Sequence, residues 1–321
     1  MHPHLNAPTL EELTDFTLKS YVKLLKYLNQ IYEIVPFCKL PNKDGPYLIL
    51  RHDVDVSLPA ALRMAQIEKD LNIKSTYFVL FSSRFYNLHI EENMDILRRI
   101  SKLGHEIGLH YYPAIYRLYN QNPMKTLKVE IQLLEHLLGK KIHSISRHGP
   151  WDRDPFSRIK KYINANHPYL KGYLFVHESD RAWTPLQGLI NLLNNPPKRS
   201  QLLIHPENWQ EDKIDRTTLL ERHCQDLENK ILSLKKRTLE YYKTDPLIVN
   251  YDKMIQKYKT GQFQSLKHKL NNEKNSKLRH ALDYYGNLSR YYLINTVFGW
   301  KANQIKTMIQ KMFNKSRLIL S

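Results

Sequence analysis

The chain has 321 residues, 42% hydrophobic and 11% aromatic, which is ordinary for a globular protein and excludes wholesale disorder. Its two cysteines, Cys38 and Cys224, lie far apart and in no Cys-x-x-Cys pattern, which argues against a disulfide framework or a cysteine zinc site. The net charge of +18 is concentrated late, with 18 Lys/Arg against 5 Asp/Glu in residues 231–321. Such a region suits nucleic acid, an anionic membrane surface or an acidic partner, or is simply a solvated helical face.

In chain order, residues 9–34 have the apolar spacing of a helix, opened by a capping box of Thr9 and Glu12. A turn-rich loop follows, and then YLILRHDVD, an apolar run that meets polar residues abruptly, as a buried strand does on reaching a site. LPAALRMAQIEKDLNI is an amphipathic helix with Pro59 near its start. STYFVLFSS, HEIGLHYY and KIHSISRHGP are further strands, separated by helices that close at Gly104 and Gly139. KGYLFVH and SQLLIHP complete the strand candidates. Alternating strands and helices predict parallel βαβ units, whose ligand sites gather at the strand C-termini. Asp53, His110, His148, Asp180 and His205 all fall there. Beyond residue 210 strand signals fade, residues 212–243 read as a long polar helix, and KANQIKTMIQKMFNKSRLIL reads as a basic amphipathic one.

Several constellations carry chemistry. Asp53 and Asp55 point to the same side of an extended chain, and neighbouring carboxylates repel unless a cation lies between them. One then binds a metal while the other takes a proton from water; the alternative is a loop pair that caps the next helix. His110 ends its strand as a ligand or as a hydrogen-bonded structural residue. His148 follows Arg147 and precedes Trp151, a side chain suited to stacking on a sugar or to packing under its loop. His205, directly after LLI, suits an acid for a leaving amine.

The order HDVD, STYFVL, GHEIGLH, SRHGPW and LLIHP resembles the polysaccharide deacetylase superfamily, or carbohydrate esterase family 4. YLFVHESDRAW and LLIHPENW are similar to a divergent branch found in surface-polysaccharide and O-antigen clusters. The resemblance covers about residues 45–210. It implies a deformed (β/α) barrel there and leaves the C-terminal third unexplained; the residue pattern itself adds an N-terminal helical segment (1–44) packed on the barrel and a mainly helical basic region at 211–321. It also implies a divalent metal, zinc first, with iron, nickel, cobalt or manganese as alternatives. On the family's motifs Asp53 is the base and Asp55 a ligand, an assignment open to reversal. His110 is a second ligand, but Ala114 stands where the family's next histidine falls, so either His148 or water completes the set or metal binding is lost. The family's base-orienting arginine precedes a proline; here Gly149 precedes Pro150, and Arg147 is the substitute. His205 matches the catalytic acid. Arg147, Trp151, Asp180, Arg181 and Trp183 are expected around the substrate, with salt bridging as the alternative for Asp180 and Arg181.

The expected activity is deacetylation or deacylation of an N-acylated sugar in surface polysaccharide biosynthesis. The rivals are another C–N or C–O hydrolase on the same barrel and a catalytically degenerate protein docking to a membrane or to a glycosyltransferase. A third rival is a nucleic-acid binder, which lacks any finger, RNA-recognition or phosphate-loop signature here. With no leader visible and no apolar stretch near ~20 residues, the expected location is cytoplasmic, with peripheral docking to the inner membrane face through Ile309, Lys311, Met312, Phe313, Lys315 and Arg317 as a further expectation.

Overall fold

Strands and helices alternate through most of the chain. The computed structural model describes residues 6–244, apart from segments at 42–44, 82, 119–121, 150–155, 157–158, 167–169 and 171. The elements are α1 (Leu10–Thr14), α2 (Leu18–Ile31), β1 (Glu33–Val35), β2 (Tyr47–Val54), α3 (Leu58–Asp70), β3 (Thr76–Val79), α4 (Glu91–Lys102) and β4 (Glu106–Tyr111). There follow α5 (Pro113–Leu118), α6 (Pro123–Leu138), β5 (Ser144–Arg147), β6 (Ile163–Asn164), β7 (Leu174–Ser179), β8 (Ala182–Thr184), α7 (Leu186–Asn194), β9 (Arg199–Ile204) and α8 (Arg216–Thr244). Two compact units divide the chain, Met1–Ser233 and Leu234–Ser321; the described part of the second is the end of α8.

One mixed α/β sheet organises the first unit, in the order β6-β5-β4-β3-β2-β9-β7-β8, with β1 also paired to β2. Every pairing is parallel except β7 with β8. The sheet curls into a half-barrel, the α/β barrel class expected. Among the described residues its outer strands β6 and β8 do not pair, so the barrel is open on that side. The last strand, β9, lies between β2 and β7 and brings distant segments together.

Burial follows the strand alternation. Leu48, Leu50, Leu202 and Ile204 face one helical layer together with Tyr21, Leu24 and Leu189. Tyr77, Val79, Leu109 and Ile145 face another, with Leu97, Leu127 and Ile131. The concave face is closed lower down by Phe37, Tyr47, Ile49 and Phe78. Gly108 is required there: a Cβ would lie 2.5 Å from the Phe78 ring and 2.9 Å from the Ser144 carbonyl oxygen.

Two buried carboxylates stitch this frame. Glu68 on α3 stands 2.7 Å from His52 Nε2 and accepts hydroxyl bonds from Tyr21 and Ser75, so α3, α2 and β2 are tied at one point. Burial would raise its carboxyl, but the charge and hydrogen bond of His52 hold it down, at about 2. Glu106 accepts from Thr76, Ser144 and the Cys38 backbone, which satisfies a lone acid inside a strand.

The single helix expected at 9–34 is instead two. Phe16, at φ 52, breaks it, and a bridge from Thr17 to Gln210 fixes the break. The Thr9–Glu12 capping box is present at the first helix, and α8 matches the long polar helix.

Candidate metal centre

Period-two alternation on β2 sends His52 to the helices and Arg51 and Asp53 to the concave face. Asp55, just past the strand, returns to that face. The loop carrying it is pinned by Tyr86, whose hydroxyl donates to the Val54 carbonyl, and by Ser83, which donates to the Asp55 carbonyl. His110 ends β4, and His148 follows β5. The His148 ring meets those of His110 and Tyr112 edge-on, at 5.0 and 4.7 Å between centroids.

These residues converge. His110 Nε2 lies 3.2 Å from His148 Nδ1 and 3.5 Å from Asp55 Oδ1, and His148 Nδ1 lies 3.4 Å from the same oxygen. A point equidistant from three atoms so spaced is about 2 Å from each, the bond length of zinc to imidazole nitrogen or carboxylate oxygen. Asp55 Oδ1 is buried and makes no hydrogen bond, as a waiting ligand atom should. His110 Nδ1 is 3.1 Å from the Ser146 carbonyl; donating there leaves the Nε2 lone pair facing the triangle. The donors therefore fit a divalent ion with three protein ligands and an open position. Ala114, on α5, offers no donor, and His148 occupies the third vertex.

Asp53 flanks the triangle, with Oδ2 3.5 Å from His110 Nε2. The guanidinium on it belongs to Arg51, at 2.8 Å and almost wholly buried, not to Arg147. Arg147 pairs in register with Tyr111 and so shares the helix-facing side of the sheet; its backbone N–H donates to Asn166. Burial pushes Asp53 up, but Arg51, His110 and His205 hold it below the ordinary carboxylate value. Asp55 behaves likewise, held low by His148, His110 and His205 against its burial.

On the other flank, His205 Nε2 is 3.9 Å from Asp55 Oδ2. Its Nδ1 lies 2.6 Å from the Glu178 carbonyl oxygen, and its backbone N–H donates to Glu178 Oε1. Asn208 donates to the same fully buried carboxylate. Burial lowers the His205 imidazole, but Glu178 raises it well above its usual value. Glu207, also buried, is pushed up to about 8 by desolvation against the opposing charge of His205.

Arg51, Glu178 and Glu207 escaped the sequence reading. Arg51 had a usable signal, standing two residues before Asp53 in a strand and hence on its face.

Three expected substrate contacts lie elsewhere. Asp180 and Arg181, at φ 53 and 61, form the turn between β7 and β8. Exposed Asp180 pairs with Arg216 at 3.1 Å. Arg181 donates to the carbonyls of Asn208, Asp15 and Ile214, clamping three segments. Trp183 is buried beside Phe16 and Trp209, its indole donating to the Leu13 carbonyl. Trp151 lies outside the described residues.

No family model and no curated protein matches the sequence significantly. Among solved structures, the chain is similar to family 4 carbohydrate esterases. One is such an esterase from Bacillus anthracis, at 16% identity over 64% of this chain and 86% of that one, TM-score 0.34. A second is the peptidoglycan deacetylase PdaC from Bacillus subtilis, at 16% over 63% and 98%, TM-score 0.36. A third is a family 4 pseudoenzyme from Bacillus anthracis, at 15% over 60% and 63%, TM-score 0.33. Likenesses this distant assign no residue its role, which rests on the geometry alone.

Proposed function

We propose that this chain is a metal-dependent amide hydrolase of the polysaccharide-deacetylase kind, removing an acyl group from an N-acylated sugar. What supports the reading is the Asp55–His110–His148 triangle with a carboxylate on one side and an imidazole on the other. Asp55, His110 and His148 would hold the ion, zinc first among the candidates. Bound there, a divalent ion polarises an acyl oxygen and acidifies water.

The remaining work falls to the chain. Asp53, kept ionised by Arg51, takes the proton from the attacking water. His205, kept protonated and oriented by Glu178, gives a proton to the amine as the C–N bond breaks. The products are a carboxylate and a free amino sugar. Placement of that sugar in a surface polysaccharide belongs to the same proposal, as does peripheral docking of the basic residues 301–321 to a membrane or partner; those residues lie outside the described part. Among the described residues no helix is long and apolar enough to cross a membrane.

The test is elemental analysis of the purified chain beside Asp55→Ala and His110→Ala, with acetate release from N-acetylated sugar oligomers. One equivalent of a divalent ion, lost in both variants, is expected. A metal-free wild type ends the proposal. Stoichiometric metal without acyl release from any N-acyl sugar supports the non-catalytic reading, which the missing donor at Ala114 favours.

A further inference from the structure

The helix α8 has a feature the metal centre does not use. Its first turn is anchored by buried Leu219, but every residue from Glu228 to Thr244 is exposed. Along it, Leu220, Cys224, Leu227, Ile231, Leu234, Thr238 and Tyr241 recur at alternating steps of four and three. That is a heptad seam with Leu220, Leu227, Leu234 and Tyr241 at the d positions and Cys224, Ile231 and Thr238 at the a positions. Leu220, Ile231 and Leu234 are 55%, 65% and 48% exposed, although such side chains are stabilised by leaving water. At 29 residues the helix is about 43 Å long, and the seam runs for three heptads, long enough to define a coiled coil.

We propose that α8 pairs with α8 of a second copy of this chain, as a parallel, in-register, two-stranded coiled coil. A heptad seam is self-complementary, and β-branched Ile231 at a between leucines at d favours two strands. The flanking charges choose the direction. The g positions Arg216, His223, Lys230 and Arg237 are all basic. An antiparallel pair would set basic g against basic g. In a parallel pair each g faces the e position of the next heptad, so His223 lies beside the partner's Glu228, and Arg216, which also pairs with Asp180 of its own chain, lies beside the partner's Glu221. Lys230 against the partner's Lys235 is the one like-charged contact. Cys224, at an a position, then faces its own counterpart across the seam.

Light scattering on the full chain should give the mass of two chains. Ile231→Glu combined with Leu234→Glu should give one, with thermal unfolding of the sheet unit unchanged because both side chains are exposed. In a Cys38→Ser background, a short bis-maleimide should link two chains covalently, and Cys224→Ser should abolish the link. A single-chain mass at all concentrations, as when residues 245–321 cover the seam, overturns the proposal. So does a pair that survives the double substitution. A pair that cannot be linked through Cys224 overturns the parallel register.

Discussion

Arg51 Nη2 stands 2.8 Å from Asp53 Oδ2, two residues along the same strand, and both side chains are buried. Replacing Arg51 by Met leaves the Asp53 carboxylate without its cation. We expect Arg51→Met to lower stability by about 3 kcal/mol, as removal of one partner from a buried ion pair does. Urea unfolding at neutral pH measures this. A variant within ~0.5 kcal/mol of wild type would mean that Asp53 finds other compensation.

Gly108 leaves no room for a methyl group. Gly108→Ala must displace the Phe78 ring or the β5 backbone, and we expect a loss of about 1–3 kcal/mol by the same measurement. A neutral result would show that Phe78 swings freely.

Glu68 is the common partner of His52, Tyr21 and Ser75. Glu68→Ala orphans His52 and Tyr21 in the core, leaves the Ser75 hydroxyl only His105, and should cost about 3–5 kcal/mol. Because the carboxylate is held near 2, its contribution is present above the ordinary value of 4.5 and fades as pH falls towards 2. Wild type and Glu68→Ala should therefore converge in stability on acidification. A gap that stays constant to pH 2 refutes the assignment.

Glu130 on α6 behaves in the opposite way. Burial pushes its carboxyl up to about 7, against the hydrogen bond from Tyr116. Between pH 4.5 and 7 the unfolded chain releases this proton more readily than the fold, so stability falls as pH rises through that window. Glu130→Gln removes this component. Urea midpoints at several pH values should show the variant gaining on wild type from pH 4.5 to 7 and the difference levelling off above it.

The strand ends were readable from the sequence, because an apolar run that stops at Asp53, His110, His148 or His205 carries its own signal. Their gathering around Asp55 depends on strand order, which no local pattern contains. Glu178 was unreadable for that reason: its partners His205 and Asn208 lie on the far side of β9 in sequence. The break at Phe16 was hidden because no Gly or Pro marks it, and a left-handed turn made by Asp180 and Arg181 lacks the Asn-Gly signature of its type. Trp183 belongs to a motif that the family resemblance places at the substrate, whereas the strand alternation of β8 turns its indole toward Leu13.

The insertion of β9 between β2 and β7 sets an order of events during synthesis. Asp55, His110 and His148 have all been made once the chain reaches residue 148. His205 takes its place only after a segment made about 150 residues later than β2 slots in beside it. The segment that carries His205 is therefore the last piece of the site to be made, and the edge of β2 that β9 covers has no strand partner until then.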